Sequence, residues 1–303
     1  MNRGKIAWLI AMGAVMTFTG CTSKDAPDPA MAGSDTTGSS TAAGTAGAAT
    51  TPNVVMINAT DYKFDAPAQI PAGLTTFTLA DGGKEVHHAS LIRITEGKTF
   101  ADLTAAMKAM KPGATPPSWM VPVGGPNAIV PGGESNTTVN LEPGNYSLVC
   151  FVPDAKMVPH FMLGMIKELT VTGTAPASAG QPAEPAADIR LVLSDYKFEW
   201  STPLTAGPHT IRVETAAGQP HELTLFEIPP GKTMKDLEAW LLTLKGAPPA
   251  KPVGGVSGLV AGKPSFIKVD LKPGSYAAVC FLPDAKDHKP HFMHGMTQAI
   301  TIS

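Results

Sequence analysis

Residues 143–151 read PGNYSLVCF, and residues 273–281 repeat them as PGSYAAVCF. In each copy a Pro-Gly turn signal precedes a run of five residues that ends in valine and leads to a Cys-Phe pair. A turn signal followed by such a run predicts a β-strand. The chain of 303 residues therefore contains at least one strand-forming segment twice.

Other segments recur in the same order around this repeat. They are DYKF at 61–64 and 195–198, a histidine at His87 and His221, VGG at 123–125 and 253–255, and PHFM at 159–162 and 290–293. Their separation changes by only a few residues along the chain, as short loop insertions would cause. Two copies are too few for a solenoid, so the pattern indicates a tandem domain duplication.

Each copy has the sequence pattern of a β-sandwich. Short segments alternate between apolar and polar residues, for example at 75–79 and 210–213, and this period of two predicts strands. Several short strands with turns within about 115 residues are typical of a sandwich. We therefore predict an all-β fold of two tandem Greek-key β-sandwich domains, residues 53–173 and 188–303, joined by an Ala- and Pro-rich linker at 174–187.

One short helix is inserted in each predicted sandwich. Residues 99–102 and 233–236 have the Thr-x-x-Asp pattern of a helix N-terminus. Apolar residues follow at helical spacing, which predicts that they face the core and do not bind metal. These residues are Leu103, Met107, Met110, Leu237, Leu241 and Leu244.

The first 52 residues are predicted to lie outside both sandwiches. Residues 1–20 contain two basic residues and then an uncharged apolar run that is too short to span a bilayer, which is typical of a secretory signal peptide. The run ends in FTGC at 18–21, which resembles a bacterial lipobox, although that motif prefers Leu where Phe18 stands. The resemblance implies cleavage before Cys21 and lipidation of its thiol. The residues that follow are mostly Ala, Gly, Ser and Thr, and this composition predicts a flexible tether over residues 21–52. The alternative is an ordinary signal peptide with a chance cysteine.

The charge balance argues against a nucleic-acid-binding protein, and the cysteine count argues against a disulfide within either domain. The chain has 23 Lys and Arg against 25 Asp and Glu, and this balance argues against nucleic acid as a partner. One of the three cysteines is Cys21, so each domain has a single cysteine and no intradomain disulfide can form. A thiol kept free in an exported protein is easier to explain if a metal holds it.

Cysteine, histidine and methionine recur at matching positions in both copies. The candidate ligands are His87, Cys150, His160 and Met165 in the first copy and His221, Cys280, His291 and Met296 in the second. Thiolate and thioether sulfur are soft donors that hold Cu(I), and imidazole holds Cu(II). A thiolate, two imidazoles and a weak thioether are the ligands of a blue-copper electron-transfer site. The sequence therefore predicts copper as the cofactor, with one ion per domain.

Alternatives exist for several of these positions. A single cysteine in a domain is more often a buried core residue than a ligand, but its recurrence with histidine and methionine favours a site. The residues that could replace predicted ligands are His88 for His87, Met162 for Met165 and Met293 for Met296. Three histidines without a counterpart in the first copy are expected to face solvent, with a second metal contact as the alternative: His209, His288 and His294.

The ligand pattern resembles that of the cupredoxins in both copies. In that family a cysteine ends one strand, a histidine lies in the next loop, a methionine opens the last strand, and a second histidine comes from a neighbouring strand. The segment CFVPDAKMVPHFMLGM at 150–165 is most similar to the ligand loop of copper nitrite reductases. The family often has Asn after its first histidine, where it braces the ligand loop, whereas this chain has His88 and Glu222. The second ligand loop is also one residue longer than the first.

The resemblance implies an electron carrier that is not an enzyme. Catalytic relatives pass electrons to a second copper through histidines that flank the cysteine, but Cys150 lies between Val149 and Phe151 and no His-x-His pair occurs in the sequence. From this resemblance and the predicted lipidation of Cys21, we expect a lipid-anchored protein of the bacterial cell envelope, on its periplasmic or extracellular face. The alternatives are a lipoprotein for copper capture, storage or delivery, and a metal-free β-sandwich scaffold.

The family resemblance also implies how redox protein partners would dock. The loop histidine of a cupredoxin reaches the surface, so His160 and His291 are expected to do so here. The apolar residues around them would form the docking patch: Pro159, Phe161 and Met162 in the first copy, and Pro290, Phe292 and Met293 in the second.

Overall fold

The computed structural model describes residues 51–110, 114, 116–174 and 183–303. All of them belong to one compact unit. The predicted signal peptide, the predicted lipidation site Cys21, the tether up to residue 50 and residues 175–182 of the predicted linker lie outside the described residues.

The first half of the described chain forms a sandwich of two sheets. Its strands are β1 (Asn53–Thr60), β2 (Lys63–Asp65), β3 (Gln69–Pro71), β4 (Gly73–Asp81), β5 (Ser90–Ile94), β6 (Met120–Pro122), β7 (Glu134–Leu141), β8 (Gly144–Val149) and β9 (Ile166–Thr172). One sheet has the order β2-β1-β4-β7 and the other the order β3-β9-β8-β5-β6. The chain crosses between the sheets several times, which brings distant segments of sequence together. We call this unit sandwich 1.

The second half repeats this arrangement as sandwich 2. Its strands are β10 (Ile189–Ser194), β11 (Lys197–Trp200), β12 (Gly207–Thr215), β13 (His221–Ile228), β14 (Lys251–Leu259), β15 (Ser265–Leu271), β16 (Gly274–Val279) and β17 (Thr297–Ile302). The sheets have the orders β11-β10-β12-β15 and β14-β13-β16-β17. The predicted fold of two tandem β-sandwiches is thus confirmed.

Alternating apolar residues of the facing sheets fill each core. In sandwich 1, Ile57 and Leu79 come from one sheet and Leu91 and Leu148 from the other, and all four are almost completely buried in a single cluster. Full burial of an aliphatic side chain contributes about 1.5–3 kcal/mol, so each core supplies a large apolar driving force. Both cysteines lie in these cores, Cys150 in sandwich 1 and Cys280 in sandwich 2.

The two predicted helices are present, as α1 (Phe100–Ala109) and α2 (Met234–Leu241). Both begin at a complete capping box, in which Thr99 or Thr233 exchanges hydrogen bonds with the Asp three residues later. These bonds satisfy backbone N–H groups that the first helical turn leaves unpaired. Leu103 and Met107 of α1 are buried against strands of sandwich 1, so Met107 is a packing residue as the spacing predicts. Among the described residues, no helix is long and apolar enough to cross a membrane.

The sequence repeat gives no indication that the sandwiches are joined edge to edge. Strands β7 and β15 pair antiparallel, with Val139 opposite Ser265, so one eight-stranded sheet runs through both sandwiches. The two VGG segments cross at the same interface, where the Ser257 N–H donates to Gly125 O at 2.9 Å and the Gly124 N–H to Gly258 O at 2.8 Å. Gly125 has a φ of 118°, and a Cβ there would lie 2.2 Å from Ala89 O. Ala89 belongs to the same sandwich, whereas across the interface a Cβ at Gly124 would lie 2.8 Å from Ser265 Oγ. The repeated glycines therefore allow close packing both within a sandwich and between the two.

Candidate metal centres

In sandwich 1, a tightly hydrogen-bonded loop between β8 and β9 carries three of the predicted ligands. Cys150 directly follows β8, His160 begins a 3₁₀ turn (His160–Leu163), and Met165 directly precedes β9. The turn ends at Gly164, whose φ of 110° favours glycine. The Cys150 N–H donates to Met165 O at 3.1 Å and the Met165 N–H to His160 O at 2.9 Å. The backbone therefore fixes these three residues beside one another.

The two histidines and the cysteine of sandwich 1 form one buried group. His87 reaches it from the segment before β5, where it bridges to Ile129. The Nδ1 atoms of His87 and His160 lie 3.1 Å apart, and Cys150 Sγ is 4.0 Å from the first and 3.5 Å from the second. None of the three residues is exposed to solvent. These atoms could hold a single metal ion.

Hydrogen bonds at the far nitrogens define which imidazole atoms face the metal position. His160 Nε2 lies 2.7 Å from Glu85 Oε2, and His87 Nε2 lies 3.4 Å from Asp61 Oδ1. An Nε2–H that donates to a carboxylate leaves Nδ1 without a proton in the neutral ring. In this tautomer of both rings, two Nδ1 atoms without protons face each other beside a sulfur, an arrangement that a bound cation stabilises.

Sandwich 2 assembles an equivalent group from His221, Cys280 and His291. Cys280 Sγ lies 3.3 Å from His291 Nδ1, and the two imidazole centroids are 4.5 Å apart. His221 Nε2 is 3.0 Å from Asp195 Oδ1, so its other nitrogen is again the free one. Within the described part of the chain, the buried Nδ1 of His221 has no hydrogen-bond partner. A buried polar atom without a partner costs about 1–3 kcal/mol, and a metal ligand role accounts for it.

The methionines at the predicted axial positions lie next to the cysteines. Met165 and Met296 are completely buried and belong to the same core clusters as Cys150 and Cys280. The alternative methionines behave differently, since Met162 is 45% exposed. Met293, the other alternative, is 52% exposed. Ligation by Met165 and Met296 stays a prediction, and their placement agrees with it.

Burial sets the protonation of the candidate ligands. It raises the pKa of the Cys150 thiol to about 12 and also raises the pKa of Cys280. Burial, reinforced by His221, lowers the pKa of His291 to about 4, and burial lowers that of His160 as well. Without metal, both cysteines are therefore thiols at neutral pH, and His160 and His291 are neutral imidazoles. A metal ion has to displace only the thiol proton.

The residues in the place of the family's bracing asparagine do brace the ligand loops. The Phe151 N–H donates to His88 Nε2 at 2.7 Å, and the Phe281 N–H donates to Glu222 Oε1 at 3.0 Å. The phenylalanines follow the cysteines directly, so these bonds fix the end of each cysteine-bearing strand. His88 Nδ1 is also engaged, at 3.3 Å from Asn127 Oδ1. Both nitrogens of His88 thus have partners, and His87 is the histidine that joins the cysteine.

The expectation that the loop histidines reach the surface is wrong in this structure. His160 and His291 are completely buried. Tyr62 packs edge-on against His160 with ring centroids 5.1 Å apart, and Tyr196 packs against His291 at 5.7 Å. Of the predicted patch residues, Met162 and Met293 are exposed, Pro159, Pro290 and Phe161 are half-buried, and Phe292 is buried.

The DYKF repeat contains residues of the candidate sites that the sequence reasoning missed. Its aspartates, Asp61 and Asp195, lie at Nε2 of His87 and His221. Its tyrosines, Tyr62 and Tyr196, cover the loop histidines. The recurrence of four consecutive residues was the available signal, but spacing alone did not connect them to ligands far along the chain.

The additional histidines stand apart from the two buried groups. His209 pairs with Asp188 and contacts Thr205. His294 lies 3.0 Å from Asp287 Oδ1 and forms a third cluster with Asp284. Asp284 Oδ2 already accepts hydrogen bonds from the Tyr196 hydroxyl at 2.6 Å and from Gln219 at 3.1 Å. This carboxylate therefore serves the local structure, and His288 lies exposed nearby.

Each sandwich therefore holds one buried group of side chains whose donor atoms could bind a metal ion, and the types of donor indicate which metal. Zinc sites are built from Cys, His and carboxylate ligands, whereas two imidazoles, one thiolate and a neighbouring methionine suit copper. Because residues of these types converge in both sandwiches, the donors fit the cofactor that the sequence predicts.

Comparisons with known proteins give structural neighbours only. No family model matches the chain, and no curated protein matches it. A dithionite-reduced auracyanin from Roseiflexus castenholzii is 20% identical with a TM-score of 0.29, covering 40% of this chain and 98% of its own. Auracyanin A, a "blue" copper protein from Chloroflexus aurantiacus, is 19% identical with a TM-score of 0.28, covering 40% and 100%. The copper nitrite reductase from Nitrosomonas europaea is 13% identical with a TM-score of 0.24, covering 84% and 94%. The metal assignment rests on the side chains described above and not on these similarities.

Proposed function

We propose that this protein is an envelope-anchored electron-transfer protein with a type 1 copper site in each of its two sandwiches. The observation that carries the proposal is the convergence of one cysteine and two histidines in each core, with Nδ1 atoms directed at a shared position. Copper, when bound, supplies a one-electron couple between Cu(I) and Cu(II). The chain supplies the soft sulfur and the imidazoles that stabilise both states.

The rigidity of the ligand loops supports electron transfer over simple storage. The His160 N–H donates to Val152 O and the Phe161 N–H donates to Cys150 O, both at 2.9 Å. Sandwich 2 repeats these bonds from His291 to Leu282 and from Phe292 to Cys280. A ligand set that the backbone holds in place rearranges little when the charge of a metal changes, which keeps electron exchange fast.

We propose that the protein is not an enzyme and that it exchanges electrons with other redox proteins. Apart from the two His-Cys-His groups, the described residues contain one further cluster of potential ligands, and its Asp284 is engaged in hydrogen bonds. An exposed apolar surface lies at the ligand loop of sandwich 1, comprising Phe151, Met157, Met162 and Leu163. Transient redox partners use small docking surfaces of this kind. An electron would pass to His160 through the thin cover that Tyr62 and Glu85 provide.

A copper delivery function is the second candidate. Met157 and Met162 are 49% and 45% exposed beside the first ligand loop, and thioether sulfur is a soft donor for Cu(I). Exposed methionines next to a buried site would suit the handover of Cu(I) to another protein. A metal-free scaffold is the least favoured alternative, because it gives no reason for the unpartnered Nδ1 of His221.

Copper loading of the metal-free protein tests these candidates. We expect Cu(II) to produce an intense blue or green colour from a thiolate-to-copper charge-transfer band, with two copper ions per chain by metal analysis. A protein that binds Cu(I) reversibly, yields it to a competing chelator and never colours would instead be a delivery protein. A protein that stays colourless and metal-free with every copper salt would refute the metal assignment.

The proposed anchor is tested by Cys21→Ser. The substitution removes the thiol that would be lipidated, and the predicted tether has no other feature that binds a membrane. We expect the variant to accumulate as uncleaved or mislocalised precursor, measured by membrane fractionation and by the mass of the N-terminal fragment. A variant that matures and fractionates as the wild type does would show that lipidation at Cys21 is not the anchor.

A further inference from the structure

A chain of buried hydrogen bonds connects the first ligand loop to sandwich 2. It begins at the Phe151 N–H, which donates to His88 Nε2 at 2.7 Å. Because Nε2 accepts this bond, the proton of the neutral ring is on Nδ1, which donates to Asn127 Oδ1 at 3.3 Å. His88 and Asn127 are 8% and 2% exposed, so water does not replace these bonds.

Asn127 is held by the backbone of sandwich 2. Its Nδ2 donates to Leu223 O at 2.9 Å, to Thr224 Oγ1 at 3.0 Å and to Val256 O at 3.2 Å. Leu223 and Thr224 belong to β13, the strand that begins with the ligand His221. The Ala128 N–H donates to Asn127 Oδ1 at 2.8 Å, which fixes the orientation of the amide. The side chain of Asn127 therefore has one allowed position, and sandwich 2 determines it.

The equivalent residue in sandwich 2 does not reach the other site. The interface is nearly symmetric, because the Asn127 N–H donates to Gly255 O and the Ser257 N–H donates to Gly125 O. The Ser257 hydroxyl, however, donates to Gly124 O at 2.8 Å. Glu222 braces the Phe281 N–H without a bond to Ser257. The chain of hydrogen bonds across the interface therefore reaches the ligand loop of the first site only.

We propose that Asn127 is a positioning residue for the first copper site, which it orders through His88, so that this site is a composite of both sandwiches. The inference rests on the proposed copper function. Asn127 fixes the His88 ring, His88 fixes the Phe151 amide, and that amide is one peptide bond from Cys150. If Asn127 loses its partners in sandwich 2, the imidazole can turn and the Cys150 sulfur is no longer held at its distance from His87 and His160.

The test uses the full chain with one site disabled at a time. In a Cys280→Ser background, only the first site can give a thiolate-to-copper band, and in a Cys150→Ser background only the second can. We expect Asn127→Ala to shift the band and the Cu(II) electron paramagnetic resonance spectrum of the first site and to weaken its copper affinity at least tenfold. The same substitution should leave the spectrum of the second site unchanged. The matched control is Ser257→Ala, which removes an interface hydrogen bond and should change neither spectrum.

A double substitution separates positioning from general stabilisation of the interface. His88→Asn keeps an amide acceptor for the Phe151 N–H but removes the imidazole that contacts Asn127. In this background Asn127→Ala should have no further effect on the first site, because the connection is already cut. Equal losses at both sites, or equal effects of Asn127→Ala with and without His88, would overturn the proposal.

Hydrogen exchange of the metal-free protein provides a readout that needs no copper. Asn127→Ala should accelerate exchange of the Phe151 amide at least tenfold relative to the Phe281 amide, and Ser257→Ala should not. If copper binds to neither site of the wild type, the proposed function fails while this measurement still decides the bracing role. Unchanged Phe151 exchange in a folded Asn127→Ala variant would overturn the inference by itself. If Asn127→Ala does not fold, Asn127→Ser introduces the residue that the interface already accommodates at Ser257, and this variant should show the same selectivity for Phe151.

Discussion

Cys150→Ser is expected to abolish the charge-transfer absorption of the first site and to remove about half of the bound copper. The Cys150 sulfur supplies both the optical transition and the soft ligation, and a serine hydroxyl is a hard donor that stays protonated at neutral pH. Cys280→Ser should remove the remaining half independently, since each cysteine belongs to its own buried group. Absorbance and metal analysis of the two single variants and the double variant measure the effect.

Graded variants of the other ligands serve as controls for this result. His87→Ala should also damage the first site, although His87 is far from Cys150 in sequence, because its Nδ1 lies 4.0 Å from the sulfur. Met165→Gln should retain the metal and change only colour and reduction potential, since the axial contact is weak. If the double cysteine variant keeps the copper stoichiometry and colour of the wild type, the type 1 sites do not exist.

Local patterns in the sequence predict the elements that carry the sites. The capping boxes at Thr99 and Thr233 predict both helix starts, because a cap is formed by residues three positions apart. The cysteines, loop histidines and Gly-Met pairs lie within short segments, so their spacing constrains their geometry. His87 and His221 were found by the internal repeat, which compares the chain with itself.

Contacts between distant segments could not be predicted in this way. Glu85 and Tyr62 cover His160 because the crossings of the chain between the two sheets bring these residues together, and no periodicity in the sequence indicates that contact. The VGG repeat was visible, but the sequence does not show that its first glycine faces the other sandwich, where a Cβ at Gly124 would lie 2.8 Å from Ser265 Oγ. The second copy has a serine at the position equivalent to Asn127, so a comparison of the two copies does not indicate that Asn127 contributes to a site.

The brace residue of sandwich 2 has a consequence for stability that depends on pH. Glu222 is buried, and this burial raises its pKa from the ordinary value of 4.5 to about 7. Between these two values the folded protein keeps a proton that the unfolded chain has released. The contribution of this proton to the free energy of unfolding is therefore fully present below about pH 4.5. It decreases as the pH rises and is lost above about pH 7.

Glu222→Gln should consequently make the metal-free protein more stable than the wild type at pH 8 and nearly equal to it at pH 4.5. Glutamine has the same shape and keeps an oxygen that can accept the Phe281 N–H, but it carries no charge to bury. A shift of this size corresponds to an effect on the order of 3 kcal/mol. Thermal unfolding of both proteins across this pH range measures it, and Glu227→Gln on the same strand provides the control for loss of a carboxylate. A difference between wild type and Glu222→Gln that stays constant with pH would contradict the prediction, because only a proton taken up by the folded state makes the two stability curves diverge.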